Sequence, residues 1–263
     1  MSLQNSISRL RRNNKVYIHD SSVYADPKWF SFQEREKSFW ENKINNTEYN
    51  PDPRRNFTPF LNHWGIDDNY FRDKTVMEIG TGPFGFFSAI AQIDEAKLPQ
   101  NLLVVDSLMD YYQKFELSDL IPENAVRIQA PGEDIPLPDN TFDIILTTNT
   151  IDHVKDCNGF LREIRRLIKP NGVLLFSVHA IRNFLKPFEV LITRIDVNHP
   201  YHFTHGDVLD LFKTNGFTIE SAVIEPIYKL DSIPKEFNVL KKYLYFLAYR
   251  LTVAFYGIAK VSS

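Results

Sequence analysis

The chain has 263 residues, a formal net charge of −3 and 43% hydrophobic residues, enough for one full-sized domain, or one with an extension, around a sizeable core. That balance gives no global pull toward nucleic acid or acidic lipid, so a nucleic-acid substrate is not expected. The lone Cys157 permits neither an internal disulfide nor a cysteine zinc cluster and suits a reducing compartment, and the N-terminal stretch lacks the apolar run of a signal peptide, so a cytoplasmic location is expected.

In chain order, residues 1–20 are polar and basic, with Arg9, Arg11, Arg12 and Lys15, and read as a poorly ordered arm or a surface helix. Asp26 and Pro27 then start a helical pattern, since Asp caps and Pro suits the first turn. Trp29, Phe30, Phe32, Phe39 and Trp40 follow as an aromatic face of imperfect phase. Residues 45–56, rich in Asn, Pro and charge, read as a loop. From Lys74 onward strand-like and helix-like runs alternate, which predicts a parallel sheet with helices on both faces. Strands are predicted at 75–79, 102–106, 126–129, 142–147, 172–178 and 217–225. Phe160 to Ile168 is predicted as an amphipathic helix ended by Pro170-Asn171-Gly172. Residues 235–263 read either as one interfacial amphipathic helix or as a helix to about Tyr249 followed by a strand, VAFYGIAKV. Membrane association of that segment is not favoured.

The densest chemistry lies in VMEIGTGPFGFFS, residues 76–88: an apolar run, the acid Glu78, and glycines at 80, 82 and 85 before a helix resumes. Gly80 and Gly82 permit positive φ and close approach of a ligand, and the free N–H groups of the next helix suit a nucleotide-like group. About twenty residues further on, a second apolar run closes with Asp106, where an α/β nucleotide site places a carboxylate for ribose hydroxyls. The order E-x-G-x-G-x-x-G differs from the dinucleotide pattern and resembles motif I of the class I S-adenosylmethionine (SAM) methyltransferases. The resemblance continues through GEDIPLPDNTFDIILTTNTIDHV (132–154) and FLREIRRLIKPNGVLLFSV (160–178), with YHFTHGDVLDLFKTNGF similar to the family's continuation. Phe84 replaces the family's third glycine, with Gly85 next.

The resemblance implies a Rossmann-like, doubly wound, mostly parallel seven-stranded sheet whose final strand is antiparallel. Residues 1–70 would be a helical extension and 71–263 the SAM-binding domain. The N-terminal helix would pack on the main domain or cover its active site. Gly80, Thr81 and Gly82 would meet the methionine part of SAM, and Glu78 would act on its ammonium end through water or backbone. Asp106 would take the ribose hydroxyls, and Ser107 and Leu108 would lie beside the adenine. Gly132 and Glu133 would contact the adenine amino group, with Asp134 either in the loop's contacts or facing solvent. Asn149 would lie near the sulfonium, and Asp143 would be structural.

His153 reads as a substrate-side group or as a helix-surface histidine. His199, His202 and His205 lie within seven residues, but no carboxylate or cysteine partner has metal-site spacing, so no metal is expected. His199, Tyr201 and His202 instead read as acceptor-side residues, and His153, His199 or His202 as a general base. The implied activity is methyl transfer from SAM to a small-molecule or sugar acceptor, at oxygen. The rival readings are a protein or RNA methyltransferase docked through the Arg9–Lys15 arm, and a SAM-binding protein without catalysis.

Overall fold

The computed structural model describes residues 2–46, 51–188, 200–226, 242 and 251–262. Among the described residues nine strands form one sheet: β1 (Arg11–Asn13), β2 (Val16–Ile18), β3 (Thr75–Ile79), β4 (Asn101–Asp106), β5 (Val126–Gln129), β6 (Phe142–Thr148), β7 (Ile168–Ile181), β8 (Phe217–Pro226) and β9 (Thr252–Val261). Their spatial order is β1-β2-β5-β4-β3-β6-β7-β9-β8. The block from β2 to β7 is parallel throughout, whereas β9 runs antiparallel between β7 and β8. The α/β doubly wound class expected from sequence is therefore present.

Period-two burial explains why these segments form central strands. In β3, Met77 and Ile79 enter one apolar core and Val76 the other. In β4, Leu103 and Val105 likewise oppose Leu102 and Val104. Helix α1 (Leu3–Ile7) adds Ile7 to the first core. After it come α2 (Pro27–Asn45) and α3 (Pro53–Trp64). Helix α4 (Phe87–Ile93) follows β3, and α5 (Met109–Tyr112) follows β4. Helix α6 (Cys157–Leu167) buries Phe160, Leu161, Ile164 and Leu167 on one face, as its spacing predicts. Helix α7 (His205–Thr214) begins with a capping box between Thr204 and Asp207.

Three sequence expectations need correction. The sheet has nine strands, not the seven expected, because β1 and β2 extend it beyond β5. Residues 1–20 are not a poorly ordered arm: a short helix, α1, is followed by β1 and β2, β2 pairs in parallel with β5, and Val16 and Ile18 are buried. Three-residue strands are too short for their alternation to rise above the surrounding charge, so the arm's composition hid its role. The reading of 45–56 as loop also misses the start of α3. Asp52 caps that helix by accepting from the Arg55 N–H, and Pro53 occupies the first turn. The expected C-terminal strand is present as β9, while the helix expected up to about Tyr249 lies outside the described residues. Among the described residues, no helix is long and apolar enough to cross a membrane.

The chain builds outward from β3 through β4 and β5, then crosses back to place β6 on the other side of β3. That reversal opens a crevice at the carboxyl ends of β3, β4 and β6.

Candidate functional site

After Ile79 the chain turns back over β4, with the Gly80 N–H donating to the Val105 carbonyl at 2.8 Å. Gly80 and Gly82 have φ of 76° and 60°, in the region that favours glycine. Their roles differ. A Cβ at Gly80 would overlap the Thr150 side chain, whereas one at Gly82 would find Trp40 as its nearest neighbour, at 3.5 Å. Gly80 thus lets the loop after β6 close against the turn, and Gly82 keeps the cavity open. Glu78 is 1% exposed. Its Oε1 accepts from the Phe86 N–H at 2.7 Å and its Oε2 from the Phe87 N–H at 3.5 Å. Burial pushes the carboxyl up to about 8, against those two bonds. Glu78 therefore works through backbone, fastening the turn to the start of α4.

Asp106 closes β4 in the same crevice. Its Oδ2 accepts from the Gly82 N–H and its Oδ1 from the Leu108 N–H, each at 2.8 Å. Burial raises its carboxyl to about 6, the two backbone bonds opposing. An ionised carboxylate has about four lone-pair sites, so two backbone donors leave capacity for a diol. Ser107 lines the cavity, and its carbonyl accepts from the Tyr24 hydroxyl at 3.4 Å. Leu108 is buried and contributes only its N–H. Thr81 lines the cavity beside Gly82. Gly132 also lines it, held against the Phe160 ring where a side chain would clash. Glu133 spends Oε1 on the Lys155 and Asp156 N–H groups, at 2.7 and 3.0 Å. Its Oε2 is buried without a partner. Asn149, at φ 51°, donates its N–H to the Ser177 carbonyl at 2.9 Å and holds a buried, unpartnered Oδ1.

Apart from Glu78 and Leu108, which stand behind it, these residues line a cavity of about 400 Å³, within the range of small-molecule sites. Residues 78–176, from the acid of β3 into β7, match the family described as a methyltransferase domain. Over that segment the chain is similar to methyltransferase domains.

It is 27% identical over 122 residues to the uncharacterized protein YafE of Escherichia coli (strain K12), covering 44% of this chain and 55% of YafE. It is 36% identical over 72 residues to the ubiquinone/menaquinone biosynthesis C-methyltransferase UbiE of Shewanella sp. (strain ANA-3), covering 27% of each. The chain thus spans about half or less of these curated relatives. A SAM-dependent methyltransferase from Thermotoga maritima shares the fold, with a TM-score of 0.52 at 17% identity over 87% of this chain and 98% of that one.

Members of this family use SAM as methyl donor, and the residues of this methyltransferase domain fit it. Asp106 has acceptor capacity for the ribose diol. The unpartnered oxygens of Glu133 and Asn149 suit the adenine amino group and the cationic end of the ligand.

The expected histidines separate. His153 lines the cavity, its Nδ1 3.9 Å from Glu36 Oε2 on α2. His202 does not. It lines a shallow groove with Lys186 and Asp207 beside α7, because Tyr201 donates its hydroxyl to the Lys155 carbonyl at 2.6 Å and Phe203 is buried, turning the chain into the α7 cap. His199 lies outside the described residues, although Pro200 lines the cavity. His205 packs on Phe255, ring centroids 5.4 Å apart. Among the described residues no three His, Cys, Asp or Glu side chains gather as a metal site requires. Asp134 is bound rather than merely solvated: its Oδ2 faces His19 Nε2 at 3.0 Å and accepts from the Ser21 hydroxyl at 2.6 Å. Asp143 accepts from the Thr75 N–H at 2.9 Å and from Lys169 Nζ at 2.6 Å, which ties β3 to β6.

The sequence reading missed the polar residues of the opposite wall. Helix α2 contributes Trp29, Gln33, Glu36, Trp40 and Lys43 to the cavity. Their alternating spacing of four and three residues was a legible signal for one helix face, masked by the attention its aromatics draw.

Proposed function

We propose that this protein transfers the methyl group of SAM to an oxygen of a small-molecule acceptor, with α2 as the cover of the site. The observation that carries the reading is Asp106, held by two backbone N–H groups on the wall of a cavity also lined by Glu133 and Asn149, each of which has a buried, unpartnered oxygen. When bound, SAM would supply an electrophilic methyl carried on a sulfonium leaving group. The chain's own part is to hold acceptor and donor in line, which can supply most of the rate effect, and to take the hydroxyl proton. His153 is the residue for that proton, because it lines the cavity with Glu36 beside it to balance the imidazolium. A concave pocket under α2 favours a small acceptor over a macromolecule. The likeness to UbiE covers 27% of each chain, too little to bring its carbon acceptor across.

Calorimetry with SAM and S-adenosylhomocysteine tests the first half. Native protein is expected to bind both, and Asp106→Ala to lose affinity by roughly 10-fold to 150-fold, the worth of hydrogen bonds to a charged group at about 1.5–3 kcal/mol. Absence of binding by the native chain would refute the assignment. With an acceptor in hand, His153→Ala should slow turnover by roughly 10²-fold to 10⁴-fold with SAM affinity unchanged. Full activity in that variant would remove His153 from the chemistry.

A further inference from the structure

Two residues of α2 that line the cavity each carry a buried polar atom that the fold leaves unsatisfied. Trp29 is 4% and Gln33 8% exposed, yet Trp29 Nε1 and Gln33 Oε1 have no hydrogen-bond partner. Both residues line the cavity and, being i and i+4, occupy neighbouring positions on one face of the helix. One is a donor only and the other an acceptor. Buried groups of this kind are normally paired, so the pair points to a ligand group able to accept and donate side by side. A hydroxyl does both. The surrounding wall includes Phe32, Trp40, Phe57 and Phe60, which suit an aromatic ring, beside the charged Arg35, Glu36 and Lys43.

Position favours the acceptor over SAM as occupant. The sheet-side wall supplies the nucleotide's partners through Asp106 and Glu133, whereas Gln33 stands one turn before Glu36, which reaches His153. Resting on the methyltransferase reading above, we propose that Trp29 and Gln33 form the recognition subsite for a hydroxylated aromatic acceptor, the indole donating to the oxygen of a non-reacting ring hydroxyl and the Gln33 carbonyl accepting a hydrogen bond from that hydroxyl.

The test uses the full chain saturated with S-adenosylhomocysteine and three probes: 2-naphthol, naphthalene and methyl β-glucoside, followed by ligand-observed NMR or calorimetry. 2-Naphthol is expected to bind at least about 10-fold more tightly than naphthalene, and the glucoside not to bind. Trp29→Phe and Gln33→Leu should each shrink the naphthol preference to below about 3-fold while S-adenosylhomocysteine affinity stays within about 3-fold of native. Equal binding of naphthol and naphthalene, binding of neither, tighter binding of the glucoside, or a preference that survives in both variants would overturn the proposal. A loss of more than about 10-fold in S-adenosylhomocysteine affinity in both variants would reassign the pair to the cofactor and overturn it as well. Should one variant fail to fold, the other decides alone. Failure of the native chain to bind S-adenosylhomocysteine would instead strike the methyltransferase reading, and the naphthol preference would then be read without it.

Discussion

Gly80 and Gly82 show how two residues of one motif can be needed for different reasons. Both have positive φ, which costs an alanine about 1–2 kcal/mol. At Gly80 a Cβ would also press on Thr150, and overpacking adds roughly 1–3 kcal/mol. Gly80→Ala is therefore expected to destabilise the fold by several kcal/mol. Gly82→Ala should cost only about 1–2 kcal/mol in stability, because its Cβ would make only an ordinary van der Waals contact with Trp40, at 3.5 Å, yet it should weaken SAM binding the more severely of the two per unit of stability lost. Urea denaturation and calorimetry on both variants check the inversion. Native SAM affinity in Gly82→Ala would show that the ligand does not approach this backbone. Sequence alone makes the two glycines look equivalent, since the difference lies in Thr150, a residue seventy positions away brought close only by the pairing of β3 with β6.

At the scale of elements, what could be read in the chain and what could not follow from segment length. The strands β3, β4, β6 and β7 have long apolar runs with β-branched residues, and α6 has a full amphipathic period, so their type and order were legible. Asp106 was legible because its distance from the glycine turn is fixed by one βαβ unit. The hairpin β1–β2 was not, because each strand has three residues and β1 is wholly exposed. The placement of His202 was not either, since it depends on how Tyr201 and Phe203 anchor the entry to α7. The hairpin has a measurable consequence. If β2 is an integral strand, Val16→Ala should destabilise the protein by on the order of 2 kcal/mol, the worth of a fully buried aliphatic side chain cut back to Ala. A loose tail would give no change in the urea midpoint, and that result would contradict the pairing of β2 with β5. The hairpin also bears on the site, because the segment after β2 is clamped by Asp134, through His19 and Ser21, just before α2 begins.

For the whole molecule, the buried acids of the site set how stability varies with pH. Glu78 titrates at about 8 and Asp106 at about 6 in the folded chain, both raised mainly by burial, against roughly 4 in an unfolded one. Between these limits the native state binds more protons than the unfolded state, so stability falls as pH rises, by up to about 1.4 kcal/mol per pH unit for each group. The contribution of Asp106 is lost by about pH 6 and that of Glu78 by about pH 8. Asp134, Asp143 and Asp207 act oppositely: their partners hold them below the usual carboxylate value, so their stabilisation is present above about pH 4 and lost below it. Stability should therefore peak on the acid side of neutrality, near pH 4–5, where Asp106 is largely protonated. On the proposed reading, in which Asp106 takes the ribose diol as a carboxylate, SAM affinity should rise through about pH 6 while stability is already declining. Glu78→Gln separates the two effects. The amide keeps an oxygen for the Phe86 N–H and carries no buried charge, so thermal unfolding of the variant should change much less between pH 6 and 8 than that of the native chain, and the SAM profile should keep its rise near pH 6. A native Tm that is flat from pH 6 to 8, or a Glu78→Gln variant as pH-sensitive as the native chain over that range, would show that Glu78 is ionised at neutral pH and that the turn rests on a buried charge.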